Sequence, residues 1–400
     1  MNDEVDTADS LLPEAPDTEP RPASGAEQDD TPMGPRALEH PDVDLARIRR
    51  RIPELLEVLE ERLVTPDSFP LLQFAGRHKV VRLSEAEAGQ LEQWFFIGDI
   101  HGDFFALHTL LRAAEEHDAE CRVLFLGDMV DRGDLPLECV FLFLEWALER
   151  PGRALWLAGN HDEALVVNKN GRFSSKVKPA ELLDVLNALD LFQGFRERLG
   201  RFLLRLASEL PRAVLFPDGL LATHGGFPLS DRHAEGQTLE DEDAYLDWLN
   251  SHGCLLDFTW TRIHKAPKKI PNRYTLGSQY GYRDFEAFCA LKPEWFPVQR
   301  MITGHEHPQE GYLIQDTYAI NQALTLKGFG FDDLRGSMLA AYQAYKESLW
   351  LARGVAGALP ELLEVPVNRD ELAMMPGLLG ANAAVPSPAV DPETPSPQTE

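Results

Sequence analysis

Trp94-Phe95-Phe96-Ile97-Gly98-Asp99-Ile100-His101-Gly102-Asp103 decides how this 400-residue chain is read. Four apolar residues, a glycine, and then a polar turn carrying carboxylates and an imidazole describe a short buried strand that ends in a loop. The unit recurs twice. An apolar run at 123–126 leads into Gly127-Asp128-Met129-Val130-Asp131-Arg132-Gly133, and another at 154–157 leads into Gly159-Asn160-His161-Asp162. Helical stretches separate the three, and a spacing of about 30 residues is that of a βαβ crossover. The pattern predicts an α/β protein whose parallel strands share one carboxyl edge, where such sheets carry their sites. Asp99, His101, Asp128 and Asn160 would converge there.

Farther along, apolar runs at 213–216, 220–222, 301–303, 312–314, 338–342 and 349–351 supply more strands, enough for two sheets packed face to face. Two of them end in turns of the same character, Thr223-His224-Gly225-Gly226 and Gly304-His305-Glu306-His307-Pro308. Mixed oxygen and imidazole donors suit two divalent transition ions such as Mn, Fe or Zn better than Ca or Mg, which favour all-oxygen shells. Two neighbouring ions need a shared ligand, and a carboxylate can bridge them.

Upstream, Ile48, Ile52, Leu55, Leu56, Leu59 and Leu63 recur at three and four, an amphipathic helix interrupted or restarted at Pro53 that would form a lid or brace. Phe141, Phe143 and Trp146 read as a helix's core face, and residues 368–375 as a short terminal helix. His40, His78, His108, His117 and His252 read as surface or packing residues, with His264 undecided.

With 65 Asp and Glu against 38 Lys and Arg, the net charge is −27 and the pI near 4.8, which argues against a general nucleic-acid binder. Residues 1–44 hold thirteen carboxylates, seven prolines and no aromatic residue, and read as a disordered acidic arm, either a plain spacer or a tether for a basic partner that the sequence does not name. Residues 376–400, whose last fifteen hold five prolines, read as a second disordered tail, leaving 45–375 as a single domain. No run reaches the ~18 apolar residues of a spanning helix and the start is not that of a signal peptide, so no membrane partner and a cytoplasmic location are expected. Cys121, Cys139, Cys254 and Cys289 are scattered and read as reduced, mostly buried thiols.

One segment opposes the overall charge. Residues 258–283 contain no Asp or Glu but carry Arg262, Lys265, Lys268, Lys269, Arg273 and Arg283. Lying between two candidate ligand turns, this island is expected to wall the cleft and give an anionic substrate a positive field.

Five blocks, GDIHG at 98–102, GDMVDRG at 127–133, GNHD at 159–162, HGG at 224–226 and GH at 304–305, stand in the order found in the phosphoprotein phosphatases, within the calcineurin-like metallophosphoesterases. Over roughly residues 94–310 the chain resembles that family. The resemblance implies a metallophosphoesterase fold, two packed mixed β-sheets flanked by helices around a βαβαβ core. It implies that Asp99 and His101 hold one metal ion, that Asp128 bridges, and that Asn160, His224 and His305 hold the second. By the same resemblance His161 is the general acid, oriented by Asp131, and Arg132 clamps the phosphate through its planar fork.

Two departures stand out. The third block ends in Asp162 where the family usually has Glu; Asp also occurs in related diadenosine tetraphosphate hydrolases, which usually lack the counterpart of Asp131. The last block reads G-H-x-H, as in the wider superfamily, which makes His307 either a further ligand of the first metal or a rim histidine. Trp260-Thr261-Arg262 looks like the Trp-x-Arg segment of bacteriophage-type members, and Arg273 is the other candidate for a second phosphate arginine; only one need serve.

The resemblance thus implies a metal-dependent phosphomonoesterase, a protein serine/threonine phosphatase with two divalent ions, Mn²⁺ first and Fe or Zn as alternatives, and in-line attack by a metal-bound hydroxide. Its partner would be a phosphorylated protein. The alternatives are hydrolysis of diadenosine tetraphosphate or another small phosphate ester, and a catalytically silent scaffold.

Overall fold

The computed structural model describes residues 38–64, 69, 71, 78–189, 193–229, 242–273, 275–291, 297–315, 322–331 and 345–375. The tail expected over 376–400, the strand expected over 338–342 and most of the acidic arm lie outside the described residues.

In chain order the elements are α1 (Pro41–Val64), β1 (Val80–Arg82), α2 (Glu85–Ala88), β2 (Trp94–Ile97), α3 (Phe104–His117), β3 (Arg122–Phe125), α4 (Pro136–Glu149) and β4 (Ala154–Trp156). Then follow β5 (Leu165–Val167), β6 (Phe173–Ser175), α5 (Glu181–Ala188), α6 (Gln193–Glu209), β7 (Ala213–Leu215), β8 (Leu220–Thr223), α7 (Glu242–Leu249) and α8 (His252–Trp260). The remainder comprises β9 (Arg262–Ile263), β10 (Ile270–Pro271), β11 (Ser278–Tyr280), α9 (Tyr282–Ala290), β12 (Arg300–Thr303), β13 (Tyr312–Gln315), β14 (Gln322–Leu326), β15 (Ser348–Arg353), β16 (Glu361–Pro366) and α10 (Arg369–Met374).

β2, β3 and β4 are parallel neighbours joined by α3 and α4, the crossover pattern expected from the spacing. They extend into a five-stranded sheet in the order β16-β15-β2-β3-β4, and a six-stranded sheet runs β1-β7-β8-β12-β14-β13. Both mix parallel and antiparallel pairs.

Strand alternation explains the layering. In β2, Trp94 and Phe96 point one way and Phe95 and Ile97 the other. Trp94 and Phe96, with Leu124, Leu126, Leu155 and Leu157, meet Val214, Phe216, Ala222, Ile302 and Leu324 of the six-stranded sheet in one buried layer, so the sheets pack face to face. Phe95, Ile97, Val123 and Phe125 face the helical layer of α1, α3, α4, α5 and α6. On the far side, Leu215, Leu221 and Met301 pack against α7, α8 and α9. The result is a helix–sheet–sheet–helix sandwich.

Two expectations change. Pro53 does not break α1, which runs unbroken. Pro53 is exposed, so the carbonyl that loses its intrahelical donor can bond water. The helix also starts before residue 45: Asp44 is buried and accepts a bond from His108 Nε2 at 2.9 Å, while Arg47 and Arg51 pair with the buried Glu145 of α4. These charges, beneath an Ile48-Leu55-Leu56-Leu59 stripe, dock α1 as a brace on α3 and α4. All four cysteines are buried and unbridged, and among the described residues no helix is long and apolar enough to cross a membrane.

Candidate active site

Each candidate ligand follows the carboxyl end of a strand: Asp99 and His101 after β2, Asp128 after β3, Asn160 after β4, His224 after β8, and His305 and His307 after β12. Because β2, β3 and β4 are parallel neighbours, and so are β8 and β12, these loops open on common edges. Their backbones are unusual. His101, Asp128, Asp131, Arg132 and His305 all have φ between 49° and 66°, the left-handed region that non-glycine residues rarely enter. Strain of this kind is kept where surrounding bonds over-determine it. Gly159 shows how tight the packing is, since a β-carbon there would lie 2.1 Å from Asp128 Oδ1.

The side chains form two adjoining clusters that share Asp128. In the first, His101 Nε2 lies 3.7 Å from Asp99 Oδ2 and 3.6 Å from Asp128 Oδ2, and His307 Nε2 lies 3.1 Å from Asp99 Oδ2. In the second, His224 Nε2 lies 3.3 Å from the same Asp128 Oδ2, 3.2 Å from Asn160 Oδ1 and 3.0 Å from His305 Nδ1. Asp99, His101 and His307, and Asp128, His224 and His305, are each gathered tightly enough to ligate one ion. The far nitrogens fix the rings: His101 Nδ1 donates to the Val130 carbonyl at 3.0 Å and His224 Nδ1 to the Leu126 carbonyl at 2.9 Å, which leaves Nε2 facing inward in both. His101 Nε2 is fully buried and finds no hydrogen-bond partner among the described residues, an arrangement suited to a metal ion. The donor set therefore fits a pair of divalent cations.

His161 stands beside this pair. Its Nδ1 is 2.9 Å from Asp131 Oδ2, and its backbone N–H donates to Asp128 Oδ1 at 2.8 Å. Asp131 is in turn held by the Leu182 N–H at 3.0 Å, from the first turn of α5, and the Arg132 N–H donates to Glu181 Oε2 at 2.6 Å. α5 thus secures two consecutive left-handed residues. The Arg132 guanidinium lies 3.5 Å from His307 Nδ1, at the mouth of the first cluster.

The two arginine candidates separate. Arg262 Nη1 donates to the His305 carbonyl at 3.1 Å and pairs with Glu306 at 3.3 Å, which places it against the ligand loop but already engaged. Arg273 is exposed and makes no hydrogen bond or ion pair with any described residue.

Three supporting residues were not read from the sequence. Asp162, first read only as a departure from a pattern, accepts the backbone N–H groups of Asp128, Met129 and Gly159, each at 2.9 Å, and so holds the turn that presents Asp128. Asp103 caps α3 through the Ala106 N–H and accepts the Gly330 N–H and the Tyr345 hydroxyl, each of the latter at 2.9 Å. Phe329 packs edge-on against His101 and His307, with centroids 5.3 and 5.1 Å away. The signal for Phe329 was Gly328-Phe329-Gly330, another glycine-rich turn after a strand.

Burial, and the Arg132 charge, hold His101 well below the usual histidine range, and burial with Arg262 does the same for His305, so both rings are neutral as ligands must be. Burial opposes the charge on Asp128, but His224 and His161 outweigh it and keep the carboxyl well below its ordinary value. For His224 burial is likewise outweighed, by Asp128 and Asp99, and its pKa rises to about 9 in the absence of a cation, so an ion bound at this ring must displace its proton. Against the same opposition Asp128 and Asp131 raise His161. Burial pushes Asp162 up to about 6, reinforced by Asp128.

Comparison with known proteins agrees with this geometry. The chain is 27% identical over 223 residues to serine/threonine-protein phosphatase T of Aspergillus oryzae, covering 54% of this chain and 42% of that protein. The protein of the same name from Schizosaccharomyces pombe is 26% identical over 230 residues, 56% of this chain and 43% of the relative. The chain thus spans less than half the length of these two relatives. Among solved structures, a protein serine/threonine phosphatase of Saccharomyces cerevisiae superposes with a TM-score of 0.52 at 14% identity, over 79% of this chain and 90% of that one, which shows a shared fold. The sequence model for calcineurin-like phosphoesterases matches residues 95–309, more than half of the chain and every ligand turn from Asp99 to His307; with its two-sheet fold and clustered donors, the chain belongs to the calcineurin-like phosphoesterase family.

Proposed function

We propose that the chain is a phosphomonoesterase that removes phosphate from phosphoserine or phosphothreonine in proteins, using two divalent ions, with Mn²⁺ first among the candidates. The observation that carries this reading is Asp128 Oδ2, which lies between His101 of one cluster and His224 of the other, with the His161–Asp131 pair beside it. Divalent ions bound at these donors would lower the pKa of a water and neutralise charge developing on the phosphoryl group. The remaining work falls to the chain's own residues. Asp99, His101 and His307 would hold one ion, Asn160, His224 and His305 the other, and Asp128 both. Arg132, at the mouth, would align phosphoryl oxygens through its fork. His161, whose Nδ1–H donates to Asp131, presents Nε2 as the atom that hands a proton to the departing serine or threonine oxygen.

Support for a protein substrate comes from Asp131 and from the names of the sequence relatives. The test compares a phosphoserine peptide with diadenosine tetraphosphate at equal concentration, after chelation and return of Mn²⁺, Fe²⁺ or Zn²⁺. Faster turnover of the peptide is expected, with about two ions bound per chain. Much faster turnover of the nucleotide would replace the protein-phosphatase reading by the small-molecule one.

A further inference from the structure

The acid-free island folds into a small sheet of its own, β10-β11-β9, in which β9 pairs parallel to β11 and β10 pairs antiparallel to it. Three bonds pin this flap to the site: Arg262 to the His305 carbonyl and to Glu306 Oε2, and the Ile263 N–H to Glu306 Oε1 at 3.3 Å. The loop between β9 and β10 is held as well. His264 Nδ1 accepts the Ala266 N–H at 2.7 Å, its Nε2 donates to the Lys268 carbonyl at 3.1 Å, and the Arg283 N–H donates to the Pro267 carbonyl at 3.0 Å. A braced backbone therefore carries exposed cations. Lys265, Lys268 and Arg273 form no ion pair with any described residue, in a chain with 27 surplus negative charges. Exposed apolar side chains, Ile270 and Leu276, sit beside them at 39% and 53% exposure.

We infer that this flap binds acidic side chains flanking the phosphorylated residue of a protein substrate, a selectivity that rests on the phosphoprotein reading above. Unpaired cations on a fixed backbone lose little on meeting carboxylates, and the rest of the acidic surface repels such a peptide, which favours this landing place. Two exposed aliphatic side chains add contacts suited to a peptide. A long nucleic acid would have to lie along the strongly negative remainder. Lys265 is three residues beyond Arg262, so at no more than ~3.6 Å per residue its backbone lies within about 11 Å of it, the reach of about three residues of extended peptide. The acidic positions read should be roughly two to five residues from the phosphorylated one.

The test uses two phosphoserine peptides that differ only in Glu against Gln at those positions. Phosphate release is measured with the full chain and with the Lys265→Glu/Lys268→Glu variant, with p-nitrophenyl phosphate alongside. The expected result is a preference of about fivefold or more in kcat/KM for the Glu peptide, shrinking as salt is raised and abolished in the variant. p-Nitrophenyl phosphate carries no flanking carboxylate, so its turnover reports the field effect common to all anionic substrates, and the Glu-to-Gln preference is read as a ratio that this common effect does not alter. Equal turnover of both peptides by the unaltered chain, or a preference that survives the charge reversal, overturns the inference. Failure to hydrolyse p-nitrophenyl phosphate with any metal would instead count against the phosphatase reading. In that event fluorescence anisotropy of the same peptides decides: Glu peptide bound no tighter than Gln peptide, or less tightly than a short single-stranded oligonucleotide, overturns the flap's proposed role.

Discussion

Asp99, His101, Asp128 and Asn160 hang from loops after β2, β3 and β4, whereas His224 and His305 follow β8 and β12, strands paired in register from Arg300 opposite Leu220 to Thr303 opposite Thr223. The loops of the first group contain four of the five left-handed non-glycine residues among the described residues, His101, Asp128, Asp131 and Arg132; those of the second contain only His305. Loop strain on the first side is met by side chains that accept backbone N–H groups, Asp162 at the Asp128 turn and Glu181 at Arg132. On the second side the ladder itself sets the spacing. The first half thus leans more heavily on carboxylates that hold loop backbone, while the second leans on strand register and on the bond from the His305 N–H to Asp99 Oδ1 at 2.9 Å, so the two halves should fail differently.

The hardest blow to that comparison is Asp128→Ala, which removes the carboxylate oxygen that lies between His101 of one half and His224 of the other. It should cost at least about 10³-fold in turnover and release at least one ion, measured by metal analysis and phosphate release. A fully metallated, active variant would mean the halves do not depend on each other. His161→Ala should lower kcat by about 10²–10⁴-fold with metal content near that of the unaltered chain, since a proton donor is lost and no ligand is. Asp162→Ala tests the carboxylate brace: metal affinity or kcat should fall about 10–100-fold, and unfolding should become easier. If activity survived intact, the strained turn would be self-supporting.

Asp44→Asn touches the support beneath α3 and should cost about 1–3 kcal/mol while leaving kcat within about threefold. Burial opposes the Asp44 charge, but His108 and Arg47 outweigh it and lower its pKa below 3.8. The stability it adds is therefore present above about pH 4 and disappears as pH falls through the depressed value, so the gap between the two proteins should close in acid. The smallest effect belongs to the register side. Thr303→Val removes the 2.8 Å bond between Thr303 and Thr325 hydroxyls. It should cost about 0.5–1.5 kcal/mol in urea unfolding with little change in metal content.

The same division explains what the sequence disclosed. Residues 94–162 could be read because each buried strand runs straight into a turn whose polar residues have no place in a core. The packing of two sheets was also within reach, since runs such as 213–216 are apolar throughout. β16 was not legible: Glu361–Pro366 is an edge strand with no fully buried residue, so its composition lacks the expected contrast. β9 and β10 are two residues long, below any periodicity, although charge alone had marked their segment. Asp162 could be seen but not understood, because two of its partners are the Asp128 and Met129 N–H groups, presented by a left-handed turn that composition does not reveal. Pro53 misled for the opposite reason, a strong local rule relaxed by exposure to water.

β2 carries Asp99 at its end, yet one of its neighbours in the sheet, β15, is supplied roughly 250 residues later, when Ala352 comes to lie opposite Phe96. At a synthesis rate of about 5–20 residues per second, that flank of β2 waits on the order of 13–50 seconds for its partner on the ribosome. An apolar strand with an open edge is a template for pairing with other chains. Shortening the protein to its ligand turns would make that interval permanent, and such fragments should aggregate even though every metal-binding residue is present.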